Sequence, residues 1–351
     1  MKYSRQILGL GKVRFLLALM VVFSHIRIEF FVKLGWSPGS IGNYNSGSVA
    51  VVNFFAISGY VMVELWKKHY APNQIKSLFF KTKIFYLDRL IRLFPQFLFY
   101  SFITLIFIVI LNVHSNQWQN VDIAVLIHNL TMLPLGFNMF LNPQTLFIPQ
   151  AWSLGLELTF YAVIPILLWN WNWKRIYSIA YLSMFMFLLP YFGIVNPFWY
   201  GYQLLPAIFF IFVVGISMGD PSTKRRRTYL FACRIFTGLL LLYLYLNVRL
   251  YEMQFNKEVL LGTFIATWII PNISNKSTKS DEWFGNMSYG VFLNHVLIAT
   301  LMEEFIPQLR GRLVGAIFLL MISVIFSDIS FDLVEKRCLV WRRRVRLMLK
   351  N

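Results

Sequence analysis

Arg14 and His25 are the first residues of the chain whose types and spacing could carry out chemistry. They stand eleven residues apart in the otherwise apolar stretch VRFLLALMVVFSHI. At 100° per residue, this spacing places both side chains on nearly one face of a helix, roughly 16 Å apart along its axis. A guanidinium binds anionic oxygens, and a neutral imidazole accepts a proton near neutral pH. Glu29, one turn beyond His25, continues the same stripe. Its alignment with Arg14 favours a chemical role for His25 over the alternative, a hydrogen bond between helices.

Arg89 and Arg92 form a second candidate anion site. In DRLIRLFP they are three residues apart and therefore adjacent on a helix. On charge alone, the same two residues could equally be anchors at the inner face of a membrane. Together with Arg14, they predict a cationic mouth below the histidine.

Three other segments bring polar groups to the level of His25. Counted at about 1.5 Å per residue, Ser58 and His295 lie near the midplane of a bilayer, and Glu157 lies roughly 9 Å from its outer face. Ionisable residues are costly in lipid and usually face a cavity or a partner. Glu157 is as much a candidate structural partner for an Arg or Ser as a catalytic group, and His295 favours a structural role.

The elements that must position these residues are transmembrane helices. Of 351 residues, 58% are hydrophobic and only 14% are charged, unlike soluble domains. Apolar runs near the roughly 20 residues that a membrane-spanning helix needs recur along the chain. They predict an all-α polytopic membrane protein with about ten transmembrane helices, at residues 15–34, 48–66, 93–112, 151–169, 176–194, 203–219, 231–248, 258–273, 284–304 and 312–332. The seventh span carries Cys233 and Arg234.

The net charge of +18 is a topology signal rather than a nucleic-acid signal. With ten spans and a cytoplasmic N-terminus, most Lys and Arg residues fall on the cytoplasmic side, so both termini are predicted to be cytoplasmic. The basic runs at 224–227 and 341–346 are interpreted as topology determinants that contact lipid headgroups. A further apolar segment, 121–137, is predicted to be interfacial or re-entrant. If it spanned the membrane, Lys174, Arg175 and the basic run 224–227 would lie on the outer side.

The whole chain, residues 1–351, is expected to form one membrane-embedded domain without a fused soluble domain. No hydrophilic stretch is long enough for one, and there is no internal repeat. The two cysteines imply no disulfide framework.

The chain resembles the type 3 membrane acyltransferases, bacterial enzymes that O-acylate sugars of lipopolysaccharide, exopolysaccharide and similar glycans. VRFLLALMVVFSH is similar to that family's first helix, which begins at an Arg and ends at an essential His. Four further segments match family motifs in chain order: SVAVVNFFAISGYVM, DRLIRLFP, AWSLGLELTFYAVIP and FGNMSYGVFLNHV. In one departure, Asp88 stands where many members carry an additional Arg.

The resemblance implies a membrane O-acyltransferase that uses acyl-coenzyme A, most often acetyl-coenzyme A, as donor substrate, with no permanently bound cofactor and no metal. Arg14, Arg89 and Arg92 would hold the phosphates of the donor. His25 would be the general base, with Glu157 or Glu29 holding its tautomer, and a covalent acyl-histidine intermediate remains an alternative. The implied supporting residues are Ser58, Trp152, Ser153, Tyr289 and His295.

The same resemblance implies a bacterial inner-membrane location and a glycan or lipid-linked sugar as acceptor, such as O-antigen or exopolysaccharide. Membrane lipid and separate envelope-biosynthesis proteins are the expected partners, and nucleic acid is not. The alternative function is a transporter or flippase of a lipid-linked glycan. Such proteins are also polytopic with polar residues at the midplane, but they commonly show repeats and paired broken helices, which this sequence lacks.

Overall fold

The computed structural model describes residues 9–26, 40–41, 44–71, 77–111, 113, 118–141, 143–169, 172–196, 199–247, 250, 255–273 and 277–349. These residues are mostly helical. The α-helices are α1 (Gly11–His25), α2 (Ser46–Leu65), α3 (Leu78–Val109), α4 (Ile123–Leu130), α5 (Asn138–Leu141), α6 (Trp152–Trp169), α7 (Trp173–Leu188), α8 (Leu205–Ile216), α9 (Thr223–Leu246), α10 (Asn256–Ile269), α11 (Lys279–Phe305), α12 (Leu313–Ser330) and α13 (Lys336–Leu347).

Short elements of other types lie between the α-helices or extend them. The 3-10 turns are Leu133–Phe137, Pro149–Ala151, Leu189–Phe192, Ser217–Gly219, Ile270–Asn272 and Pro307–Leu309, and the π-helical turns are Trp66–Tyr70, Trp199–Gln203 and Phe331–Glu335. Two strands, β1 (Ser40–Ile41) and β2 (Tyr44–Asn45), pair antiparallel, with Ser40 opposite Asn45 and Ile41 opposite Tyr44.

Seven helical segments within the described residues are long and apolar enough to cross a membrane. They are Ser46–Tyr70, Leu78–Val109, Pro149–Trp169, Trp173–Phe192, Trp199–Gly219, Thr223–Leu246 and Leu313–Leu347. They coincide with the second to seventh and the tenth of the predicted spans. The chain is therefore an all-α, multi-pass membrane protein.

The other three predicted spans coincide with α1, α10 and α11, which fall outside that set. α1 has 15 residues, and the part of the chain described there ends at residue 26. α10 has only 14 residues. α11 is long enough, but polar residues such as Asn286, Asn294 and His295 interrupt its apolar sequence. The count of ten spans and the cytoplasmic position of both termini remain predictions.

The segment predicted to be interfacial or re-entrant folds as a bent helical pair. Its halves, Ile123–Leu130 and Leu133–Leu141, meet at 96°. Met132 lies at the bend with a φ of 60°, a backbone conformation that residues other than glycine rarely adopt. So sharp a bend is typical of both a broken span and a re-entrant loop, so the interpretation remains a prediction.

Contacts within the chain define two compact units. The first contains Met1–Gly47, Leu90–Gly155 and Ile273–Arg342, and the second contains Ser48–Arg89, Leu156–Asn272 and Arg343–Asn351. The single domain expected over residues 1–351 remains a prediction.

In the first unit, α1 and α11 pack side by side and run in the same direction. The backbone N–H of Lys12 donates to Asp281 Oδ1 at 2.9 Å, and His25 at the other end of α1 contacts His295. The residues of the first pair are 269 positions apart in the chain, and those of the second are 270 apart. A nearly constant separation along two helices means that the helices run parallel. A Cβ atom added at Gly11 would lie 1.7 Å from the carbonyl oxygen of Asp281, so the approach of the helix starts requires glycine.

α12 completes this packing in the first unit. Ser327 Oγ donates to the Met287 carbonyl of α11 at 2.8 Å, and Asn294 Nδ2 donates to the Ser323 carbonyl at 3.0 Å. In lipid, such interhelical hydrogen bonds and close packing hold helices together because there is little hydrophobic driving force between them. α11 is therefore held on two sides, which fixes the rotation of its buried face.

In the second unit, glycines bring α2 and α8 into backbone contact. A Cβ atom at Gly59 would lie 2.0 Å from the Phe212 carbonyl oxygen, and one at Gly215 would lie 1.9 Å from that of Ala56. Small residues at helix interfaces allow this close approach in membrane proteins. The glycine of the ISG segment, Gly59, therefore has a packing role next to Ser58.

Candidate active site

His25 and His295 are in direct contact within the first unit. Nδ1 of His25 lies 3.0 Å from Nε2 of His295, and the two rings stack with their centroids 5.1 Å apart. His295 is only 1% exposed, whereas His25, at the end of α1, is exposed. The pair thus consists of an accessible imidazole with a buried one behind it.

The hydrogen bonds of His295 assign the tautomer of both neutral rings. Nδ1 of His295 lies 3.1 Å from the carbonyl oxygen of Val291. Because a carbonyl only accepts, this nitrogen carries the proton, and Nε2 of His295 is left as an acceptor. His25 must then donate its Nδ1–H to His295. The remaining nitrogen, Nε2 of His25, therefore bears the lone pair that can accept a proton.

This geometry differs from the sequence-based expectation for the tautomer of His25. The sequence offered Glu157 or Glu29 as the group that holds it, while the partner found at Nδ1 is His295. Glu29 lies outside the described residues. Here His295 can hold the tautomer of His25, as a carboxylate was expected to do, because the Nδ1–H of His295 is bound to a backbone carbonyl.

Glu157, in α6, belongs to the second unit, where two hydroxyl groups bind its carboxylate. Ser58 Oγ donates to Glu157 Oε1 at 2.5 Å. Tyr161, one turn further along α6, donates to the same oxygen. The Ser partner that the sequence allowed for Glu157 is thus present.

Arg92 is paired with an acid in the first unit. Its guanidinium forms an ion pair with Glu335 and lies over the ring of Tyr289, 5.0 Å from the centroid. The hydroxyl of Tyr289 donates to the Leu93 carbonyl at 2.8 Å. The side chain of Arg92 keeps 21% exposure.

Polar side chains continue along the same face of α3. Gln96 Nε2 donates to Ser330 Oγ at 2.8 Å, and the Tyr100 hydroxyl lies 2.7 Å from that same oxygen. Asn294 Nδ2 donates to the Tyr100 hydroxyl at 3.3 Å. Since Asn294 immediately precedes the buried histidine of the pair, a hydrogen-bonded chain links this face of α3 to that turn of α11.

Arg89 lies in the interior of the second unit. It forms an ion pair with Asp88, is 4% exposed, and lies over the ring of Tyr161 at 5.9 Å. Asp88 also accepts two hydrogen bonds from Arg346, at 2.9 and 3.1 Å. The acid at the position of the family's additional Arg thus binds two arginines.

Ser153 and the residues before α6 are tied to α11 in the first unit. Ser153 Oγ donates to the Gln150 carbonyl at 3.0 Å. Gln150 Nε2 donates to the carbonyls of Phe292 and Leu293 at 2.8 and 3.0 Å. Phe292 and Leu293 belong to the helical turn that precedes His295, so Gln150 holds this turn of α11 in place.

The ten candidate residues divide between the two units. Arg14, His25, Arg92, Trp152, Ser153, Tyr289 and His295 lie in the first, and Ser58, Arg89 and Glu157 lie in the second. Arg14 is half-buried on α1. The contacts among them include those of His25 with His295, Arg92 with Tyr289, and Ser58 with Glu157. In the described part of the chain, no group of three or more His, Cys, Asp or Glu is placed to hold a metal ion.

Sequence reasoning missed Tyr161, Gln150 and Glu335 as partners of the candidate residues. Tyr161 stands four residues after Glu157, a spacing that predicts contact on a helix. No local pattern points to Gln150, and Glu335 is 243 residues from Arg92.

Comparison with known proteins identifies the kind of domain that holds this site. The profile described as an acyltransferase domain matches residues 8–331. The chain belongs to this acyltransferase family. An accessible imidazole with an unprotonated Nε2 is a group that can accept a proton from a hydroxyl.

Individual relatives of this acyltransferase are distant. A protein of Aquifex aeolicus, whose name states no activity, is 29% identical over 197 residues, covering 54% of this chain and 87% of that protein. A "Putative O-acetyltransferase" of Staphylococcus aureus is 22% identical over 95% of this chain. The peptidoglycan O-acetyltransferase of Listeria monocytogenes is also 22% identical over 95% of this chain. The chain spans 57% and 56% of the lengths of these last two relatives, and no solved structure matches it.

Proposed function

We propose that this acyltransferase is an O-acetyltransferase of the bacterial inner membrane that moves an acetyl group from acetyl-coenzyme A to a hydroxyl of a cell-envelope glycan. Family membership and the O-acetyltransferase names of the staphylococcal and listerial relatives support the reaction class. The listerial name adds peptidoglycan to O-antigen, exopolysaccharide and lipid-linked sugars as acceptor candidates. The observation that carries the proposal is the tautomer of His25, whose Nε2 is left unprotonated by the contact with His295.

In the proposed step, Nε2 of His25 takes the proton of a sugar hydroxyl while the hydroxyl oxygen attacks the thioester carbonyl. The C–O bond forms, the C–S bond breaks, and the imidazolium returns the proton to the departing coenzyme A thiolate. His295 stabilises the intermediate imidazolium by accepting the Nδ1–H bond throughout, as the buried third member of a triad does. General base catalysis of this kind contributes on the order of 10² to 10⁴ in rate.

The donor's phosphates would be held by Arg14 and Arg92. Arginine forks match phosphate oxygens, and both residues belong to the first unit with His25. Arg14 and His25 are separated by roughly 16 Å along α1, a length suited to an extended pantetheine arm. Of the three arginines, Arg89 is the least suited to bind the donor's phosphates, because its side chain is buried and paired with Asp88.

A covalent route is the variant of this proposal that the same residues allow. Nε2 of His25 would attack the thioester itself, release coenzyme A, and pass the acetyl group from the acyl-histidine to the sugar. Both routes use the same nitrogen. A labelled acetyl group that stays on the protein after rapid quenching without acceptor would identify the covalent one.

The test uses the purified full chain in lipid nanodiscs with labelled acetyl-coenzyme A and fragments of the candidate glycans. We expect coenzyme A release and acetate incorporation by the wild type, and neither by His25→Ala. His69→Ala removes an imidazole outside the site and serves as the control, with activity near wild type. Full activity of His25→Ala would overturn the base assignment. A wild type that neither releases coenzyme A nor transfers acetate would overturn the enzyme proposal and favour a glycan transporter.

A further inference from the structure

Arg234 lies in the interior of α9, and the partners of its guanidinium are neutral. Nε donates to Thr267 Oγ1 at 3.0 Å, and one Nη2–H donates to the Thr267 carbonyl at 2.8 Å. The guanidinium carbon lies only 3.7 Å from the ring centroid of Trp268. Among the described residues, the ion pairs found involve other cations and leave Arg234 without a carboxylate. A charge inside an apolar span is costly unless something compensates it.

Within the part of the chain that the structure describes, the neighbours of Arg234 use only part of its hydrogen-bonding capacity. A guanidinium has five N–H groups in a fixed fork, and two of them are engaged by Thr267. Stacking on Trp268 holds the plane of the fork in one orientation. The remaining N–H groups therefore form a preoriented donor set for a planar or tetrahedral oxyanion.

The surface around Arg234 faces outward from the second unit. α9 is the least buried of the seven candidate spans, at 28%. Trp268 is 50% exposed, and Phe231 and Ile235, which flank Arg234 on α9, are 62% and 46% exposed. In a membrane-spanning helix, such an apolar surface is in contact with lipid rather than with water.

Arg234 lies in the half of α9 that follows the basic run 224–227, and its partner Thr267 lies five residues before the end of its helical segment at Asn272. Arg227 stands seven residues earlier on the same helix face and is exposed, which places it roughly 10 Å nearer the membrane surface. Trp268 lies one turn before the helical segment ends at Asn272, the level at which aromatic residues form interfacial belts. A long Arg side chain at this depth extends toward the headgroups.

We propose that Arg234, Thr267 and Trp268 form a binding site for the phosphate of an anionic phospholipid, from the leaflet that adjoins the basic run 224–227. Phosphate supplies the oxyanion that the remaining N–H groups fit, and its negative charge compensates the guanidinium. The lipid-facing apolar rim selects a phosphate that carries acyl chains over a free one. Basic pockets between transmembrane helices commonly bind acidic headgroups in this way.

The test reconstitutes the full chain in nanodiscs of phosphatidylglycerol or of phosphatidylcholine and measures the melting temperature and the phospholipid retained after detergent extraction, by native mass spectrometry. We expect phosphatidylglycerol to raise the melting temperature of the wild type and to leave about one tightly held lipid. Arg234→Gln should lose both effects, and Arg234→Lys, which keeps the charge but not the fork, should retain the lipid less well. Arg310→Gln, which removes an exposed guanidinium elsewhere, should behave as wild type.

Three results would overturn this proposal. One is equal phosphatidylglycerol retention by Arg234→Gln and the wild type. Another is a melting temperature lowered to the same extent in both lipids, because a purely structural tether between α9 and α10 would behave in that way. The third is release of the lipid by millimolar inorganic phosphate, which would assign the site to free phosphate. Should Arg234→Gln fail to insert, Trp268→Leu removes the stacking partner and tests the same loss of retention.

Discussion

The transfer chemistry proposed for this acyltransferase depends on which nitrogen of one histidine is unprotonated. The Nε2 of His25 is available because the Nδ1–H of His25 donates to His295. Nε2 of His295 can accept that bond because its own Nδ1–H donates to the Val291 carbonyl. In the proposed mechanism, His295 is a positioning residue that acts through His25. Because His295 is buried, water does not replace it as the acceptor for the Nδ1–H of His25.

Replacing His295 should separate positioning from folding. In His295→Leu, His25 loses its acceptor and populates the wrong tautomer, so kcat should fall roughly 10²-fold or more while KM for acetyl-coenzyme A changes little. In His295→Gln, an amide oxygen can accept from His25, and part of kcat should return. Steady-state kinetics with melting temperatures measures both. Equal losses in the two variants would mean that His295 only fills space.

Arg92 should act on donor binding rather than on the chemical step. Arg92→Gln removes a charged hydrogen-bond donor worth roughly 1.5–3 kcal/mol, so KM for acetyl-coenzyme A should rise about tenfold or more with a smaller change in kcat. The measurement is coenzyme A release over a range of donor concentrations, with Arg310→Gln as the control. An unchanged KM would remove Arg92 from the donor site.

At the scale of elements, the histidine pair depends on how closely α1 approaches α11. The helices run parallel, so a displacement at their starts is carried along α1 to His25. Gly11 sets that approach, because its missing side chain leaves room for the carbonyl of Asp281. The glycine therefore influences a site about 21 Å away along the helix axis.

Gly11→Ala tests this coupling. The added methyl group cannot fit without moving α1 away from α11, and overpacking of this kind typically costs 1–3 kcal/mol. We expect a lower melting temperature and reduced acetyl transfer. Gly238→Ala is the matched control, since a Cβ atom there meets nothing within 4 Å, and it should leave both quantities near wild type. Full activity of Gly11→Ala would show that His25 and His295 do not depend on this contact.

At the scale of the whole molecule, the distribution of basic residues orients the chain in the membrane. Lys and Arg concentrate in alternate connections between predicted spans, and the positive-inside rule assigns those connections to the cytoplasm. In that predicted orientation, the predicted arginine mouth would face the cytoplasm, from which the proposed donor, acetyl-coenzyme A, would enter. A measurement of the orientation therefore also tests whether the proposed donor can reach the site.

Cysteine labelling measures that orientation. In a background with Cys233→Ser and Cys338→Ser, Arg310→Cys should react with a membrane-impermeant maleimide in intact cells. Lys224→Cys should react only after the membrane is permeabilised. The opposite pattern would place the basic run 224–227 outside and remove the assignment of both termini to the cytoplasm.

The amino-acid pattern alone establishes the helical, multi-pass architecture and the acyltransferase family. Apolar runs long enough for a bilayer and short motifs in fixed order are local properties, so a single sequence carries them. The same local reasoning placed His25 and His295 at one depth, because depth follows from counting residues along a helix.

Only the tertiary structure decided which groups meet. The partner of His25 lies 270 residues away and that of Arg92 lies 243 residues away, and counting along a helix says nothing about its rotation toward a neighbour. That rotation is set by packing, as in the contact of Gly11 with Asp281. The free nitrogen of His25 and the carboxylate paired with Arg92 are therefore products of helix packing that hydrophobic periodicity cannot specify.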